Sequence, residues 1–79
     1  MAREMDDKTY CGFTIDNGAA HIVLNTLAQA SVSLVSAYTV ENRVRVIVLL
    51  DDLMSDLNVW PQIKPHVELA SVTWSTDNG

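Results

Sequence analysis

The sequence predicts an α+β fold in the order β-α-β-β-α-β. Three observations carry it: an alternating run from Thr9 to Ile15, a helical stripe that follows the polar turn Asp16-Asn17-Gly18, and two Val-rich runs joined by Glu41-Asn42.

The first strand is expected over Thr9–Ile15. Cys11, Phe13 and Ile15 fall on one face and Tyr10, Gly12 and Thr14 on the other, the period-two pattern of a half-buried strand. Asp16 or Asn17 then supplies a side-chain oxygen to cap a helix start. Ala20, Val23, Leu24, Leu27 and Ala28 recur at three and four, one buried stripe, while His21, Asn25 and Gln29 lie opposite.

Val32–Val40 and Arg43–Leu50 read as strands rich in β-branched residues. Glu41-Asn42 is a two-residue turn, because Asn tolerates positive φ, and this register sets Val40 against Arg43. One face then collects Val35, Ala37, Val44, Val46 and Val48 as core. The other collects Leu34, Tyr38, Arg45, Ile47 and Leu49, too apolar for a freely solvated surface.

Asp51 and Asp52 are cap candidates for a second helix, with Leu53, Leu57 and Trp60 as its apolar side. Pro61 is expected to stop or kink that helix near Val59, and Pro65 marks a turn. Val67–Trp74 is the last strand, with Ala70, Val72 and Trp74 on one face and Val67 and Leu69 on the other. Residues 1–7 and 75–79 are expected to be flexible. With right-handed crossovers this order closes into a four-stranded antiparallel sheet with both helices on one face, the ferredoxin-like arrangement.

Length and composition bound the function. At 79 residues the chain reads as a single domain. A domain of this size buries only about 60% of its unfolded surface, so its core is thin. Cys11 is the only cysteine, which rules out an internal disulfide and any Cys/His metal spacing and leaves self-association as the expected reinforcement. The formal charge of −5 argues against nucleic acid and anionic membrane as partners. No apolar run approaches the ~20 residues needed to span a bilayer. The charged Met1–Lys8 segment lacks the core of a signal peptide, so the expected location is cytoplasmic.

Over residues 9–74 the chain resembles the ACT domain, a small regulatory module. The family's first turn reads Asp-x-Pro-Gly, and Asp16-Asn17-Gly18 is similar to it with the proline missing. Its second strand opens with an Ala-Gly-Ile-Asn-like entry. Ala30-Ser31-Val32-Ser33-Leu34 resembles that entry, with Ser31 where glycine is usual and Ser33 where asparagine is frequent. The resemblance implies a homodimer that senses an amino acid or similar small ligand, bound by Asp16, Asn17, Gly18 and Ser33. Helix-start amides of the turn would take the ligand carboxylate, and Asp16 its ammonium group. With no room for an attached enzyme, any regulation would act on a protein partner in trans. The expected dimer interface is Leu34, Tyr38, Ile47, Leu49 and Trp74.

The alternative left open is an adaptor or inhibitor that grips another protein through the bare sheet face, with no small ligand. The missing proline and Ser31 favour it. An enzyme is not expected, and no catalytic residue, metal ligand or cofactor is assigned. The first turn lacks the arginine of an acylphosphatase loop, and Arg43-Val44-Arg45-Val46 replaces the stacked aromatics of an RNA-binding sheet. Cys11 reads as a buried, inert thiol and His21 and His66 as solvated side chains. Asp51, Asp52 and Asp56 read as helix-end charges, Trp60 as core, and Arg43 and Arg45 as a solubilising edge pair.

Overall fold

The computed structural model describes residues 8–77. Its strands are β1 (Lys8–Asp16), β2 (Leu34–Val40), β3 (Arg43–Leu49) and β4 (Val67–Asp77), and its helices are α1 (Ala20–Gln29), α2 (Leu50–Ser55) and α3 (Val59–Ile63). Short 3-10 turns lie at Asn17–Ala19 and Lys64–His66. The four strands form one antiparallel sheet in the order β2-β3-β1-β4, giving an α+β domain.

The core is the helix-side face of the two central strands. Cys11, Phe13 and Ile15 of β1 and Val44, Val46 and Val48 of β3 are buried against Val23 and Leu27 of α1, Leu53 of α2, and Val59 and Ile63 of α3. The alternation of β1 is therefore realised as expected. On α1 the expected stripe packs on the core through buried Val23 and Leu27 and half-buried Ala20 and Leu24, while Ala28 is exposed.

Backbone chemistry explains both ends of β2. Glu41 and Asn42 adopt φ of 46° and 67°, the paired left-handed residues of a type I′ hairpin turn, and Val40 pairs with Arg43 as expected. At the other end α1 stops in a Schellman motif. Ser31 sits at φ 60°, its amide donates to the Ala28 carbonyl (3.1 Å), and the Val32 amide donates to the Leu27 carbonyl (3.0 Å). Val32 and Leu27 are both buried, supplying the motif's apolar contact. A left-handed serine is strained where glycine is not. Ser31→Gly is accordingly expected to stabilise the fold by about 0.5–1 kcal/mol, raising Tm by about 2–8 °C in a thermal melt.

The structure corrects several expectations. Val35 and Ala37 are exposed rather than core, because β2 is the outer strand and lies beyond the helices that cover β1 and β3. A bulge between Leu34 and Ser36 also sets Leu34 opposite Val48, so Leu34 leaves the open face for the helix side of that edge.

The second helix is two. Asp56 ends α2 in extended geometry, and its carboxylate accepts from the Asn58 amide (3.0 Å), turning the chain before α3 begins. Leu57 falls in this break and is 73% exposed instead of packing with Leu53. Pro61 ends no helix: it stands in the first turn of α3, where no amide is required. Asp51 and Asp52 lie inside the first turn of α2, not at its cap.

The last strand holds the largest irregularity. Thr14 pairs with Glu68 and Gly12 with Thr73, so Leu69–Val72 bulges out opposite Phe13 alone. Ser71 plugs the gap: its hydroxyl accepts from the Thr14 amide (2.8 Å) and donates to the Glu68 carbonyl (2.5 Å). The bulge resets the alternation, so Val67 opposite Ile15 and Trp74 opposite Cys11 share the helix side, not opposite faces. β4 also runs to Asp77, past the expected end at Trp74, because Ser75, Thr76 and Asp77 pair with Tyr10, Thr9 and Lys8. The expectation of flexibility for residues 1–7 and for 78–79 lies outside the described residues.

Candidate functional site

The sheet face away from the helices is assembled from alternate residues of every strand. Cross-strand pairing puts Tyr10, Gly12 and Thr14 beside Leu49, Ile47 and Arg45, with Ser36, Tyr38 and Val40 on one flank and Glu68, Thr73 and Ser75 on the other. Tyr38, Ile47 and Leu49 therefore share this face. The other two expected interface residues do not join them: Leu34 and Trp74 lie on the helix side, at opposite edges of the sheet.

Arg45 organises the middle of the open face. It springs from β3, crosses β1 above Gly12 and reaches β4. Its Nη1 donates to Thr14 Oγ1 (3.3 Å) and to the Ser71 carbonyl (2.8 Å), and its Nη2 donates to Thr73 Oγ1 (2.5 Å). The crossing runs close over Gly12: a Cβ there would stand 2.7 Å from Nη2, so the guanidinium would have to shift. Tyr10, Gly12, Arg45, Ile47, Thr73 and Ser75 enclose a shallow hollow of about 60 Å³ here. Neighbouring Arg43 instead forms an exposed ion pair with Glu68. The arginines are thus not the solubilising edge pair expected from the sequence: only Arg43 is exposed in that way. The signal for the difference was Gly12 inside a strand, a mark of close approach by another group.

The residues of the expected ligand site are divided between the two ends of the sheet. Asp16, Asn17 and Gly18 are exposed at the hairpin end, where Asp16 pairs with Arg43. Their donors are in use: the Gly18 amide binds Asp16 Oδ2 (2.9 Å) and the Asn17 amide binds the Asn42 carbonyl (3.1 Å). Ser33 lies at the far end, before Leu34, which pairs with Val48 and so stands level with Cys11. Five residues of strand separate Cys11 from Asp16, roughly 17 Å. The Ser33 amide donates to Asp52 Oδ2 (2.9 Å), and hydrogen bonding from the Ser33 hydroxyl first and its amide second holds the Asp52 carboxyl below its ordinary value. One chain alone does not gather these four residues.

On the helix side, the short α2 and α3 leave a groove of about 230 Å³ lined by Cys11, Leu53, Met54, Trp60 and Trp74. Trp74 is 60% exposed along it. Trp60 packs edge-on against Phe13, ring centroids 6.1 Å apart. Cys11 is fully buried, and desolvation pushes its thiol above the ordinary range against the opposing charge of Arg45. His21 is exposed on α1 and His66 is half-buried in the turn before β4. Among the described residues no three His, Cys, Asp or Glu side chains converge on a metal position, and no helix is long and apolar enough to cross a membrane. No protein-family model matches the chain, and no curated protein matches it either.

Proposed function

We propose that this chain is a non-enzymatic regulatory domain of the ferredoxin-like, ACT type that works as a homodimer joined along β2 and takes an amino acid or similar small ligand. The observation that carries it is the character of β2. This strand, Leu34–Val40, forms one edge of the sheet and contains no charged residue and no proline. Leu34, Val35, Tyr38 and Val40 each stand about half exposed along it. Solitary sheets guard such an edge with lysine, proline or a cover; Ser36–Val40 contains neither lysine nor proline, and among the described residues Tyr38 and Val40 stay half exposed. The strand order, read from the opposite edge as β4-β1-β3-β2, agrees with the ferredoxin-like pattern, with the second helix interrupted at Asp56–Asn58.

Two-fold antiparallel pairing of β2 with β2 would also serve the ligand reading. It turns Ser33 of one protomer toward the hairpin end of its partner, the end that carries Asp16, Asn17 and Gly18. A specific observation favours the second reading, an adaptor without ligand: the Asn17 and Gly18 amides are already bonded within the chain.

Sedimentation equilibrium tests the dimer. The expected result is twice the chain mass for the native protein and a monomer for the Val35→Lys/Val40→Lys variant with an unchanged circular dichroism spectrum. A native monomer at high micromolar concentration, or a dimer that survives both lysines, refutes the β2 placement. Dissociation by Leu49→Asp instead would assign the interface to the open face. A thermal-shift panel of the twenty amino acids separates the two readings: a selective rise supports the sensor and a flat panel the adaptor.

A further inference from the structure

We propose that the Arg45 seat on the open sheet face is a binding site for a small monocarboxylate with an apolar tail. This site is distinct from the β2 edge and from the Asp16–Gly18 turn.

Among the described residues the guanidinium is held in place without a counter-charge. Its partners are two threonine hydroxyls and a backbone carbonyl, all neutral. Among the described residues no carboxylate lies within ion-pair distance of it, while Glu68 is taken by Arg43. Arg45 is half-buried, so its charge has lost part of its water. A guanidinium carries five N–H donors in a planar fork. The three contacts leave Nε–H and one Nη2–H unassigned, donors on neighbouring nitrogens from which a carboxylate can accept.

The surroundings select the ligand. A hollow of about 60 Å³ admits a carboxylate head, with Ser75 and Tyr10 at its rim, and excludes a bulkier anion from full contact. Ile47 forms part of the wall, and Leu49 and Tyr38 continue the apolar surface on the same face. A tail laid there would cover side chains that the helices leave bare. The protein's net charge of −5 opposes polyanions, so one negative charge is favoured over two or three. The seat is preorganised: three hydrogen bonds and the bare backbone of Gly12 fix the guanidinium before anything binds.

Titration of the native protein with isocaproate, followed in the amide NMR spectrum, tests the proposal. Its neutral isostere isocaproamide and inorganic sulfate are the comparison probes. The expected result is a saturable shift of the Gly12, Arg45, Ile47 and Thr73 amides with isocaproate alone. Arg45→Lys keeps the charge and loses the fork, and should weaken binding about tenfold or more. Gly12→Ala should weaken it in the same direction by displacing the guanidinium, and Arg43→Met should leave it unchanged. The spectrum itself reports whether each variant is folded, and Arg45→Lys decides the matter if Gly12→Ala is not. Equal shifts with isocaproamide, equal shifts with sulfate, no saturable shift with isocaproate, or undiminished affinity in Arg45→Lys would each overturn the proposal.

Discussion

Phe13→Ala is expected to remove about 3–5 kcal/mol of the protein's stability, a large share of all it has. Phe13 is the largest of the fully buried side chains, and it sits at the centre of β1 with β3 on one side and β4 on the other. Its ring also supports Trp60 edge-on. Truncating a buried phenylalanine costs about 3–5 kcal/mol, since the lost transfer energy adds to the cavity left behind. A domain of this length has only about 4–12 kcal/mol in total. The site has little scope to collapse, because Phe13 lies opposite the β4 bulge, whose backbone Ser71 and Arg45 pin in place. Urea denaturation followed by circular dichroism checks this: the midpoint should fall by the equivalent of about 3–5 kcal/mol, and a drop equivalent to less than about 2 kcal/mol would show that Trp60 moves in to fill the space.

Ile63→Ala is the second large loss, and its form should differ. α3 has five residues and no side-chain cap, far below the length at which a helix stands alone. What holds it is the burial of Val59 and Ile63. Removing the Ile63 side chain should cost about 2–5 kcal/mol, spent first on detaching this segment. Hydrogen exchange checks it. Protection of amides over Val59–His66 should fall well before that of β1 and β3, and uniform loss across the sheet would show instead that the segment and sheet unfold as one unit.

What was legible in the sequence follows from which forces are local. The helix-side residues of β1, the Glu41-Asn42 turn and the α1 stripe around Val23 and Leu27 depend on periodicity and backbone preference, and both can be read from the residues themselves. The status of β2 was not readable, because Val35 and Ala37 alternate like core residues whichever place the strand takes in the sheet. Only topology put it outside. The broken second helix turned on one short-range bond, Asp56 to the Asn58 amide, that competes with helix continuation. The β4 bulge depended on Ser71 finding the Thr14 amide across 57 positions of sequence, which no local pattern reports. Of the open-face residues, Tyr38, Ile47 and Leu49 were foreseen as a group, while the role of Arg45 rested on Gly12, a residue on a different strand.

The two rims of the sheet are unlike, and this bears on polymerisation. β4 is broken by Leu69–Val72, with its Ser71 carbonyl already claimed by Arg45, so it offers an incoming strand the separate run Thr73–Asp77 and no ladder along its full length. β2 is regular from Ser36 to Val40. Fibril growth by strand addition requires a molecule that is adhesive on both sides, so that each arrival exposes a fresh template. In the β2 dimer proposed above this molecule would be adhesive on one. Two copies meeting through that rim consume it, and the outer rims of the pair are both the bulged kind. In the proposed dimer the interrupted β4 rims would face outward, and the charge-free edge of a small acidic protein would be spent on its partner rather than on fibres.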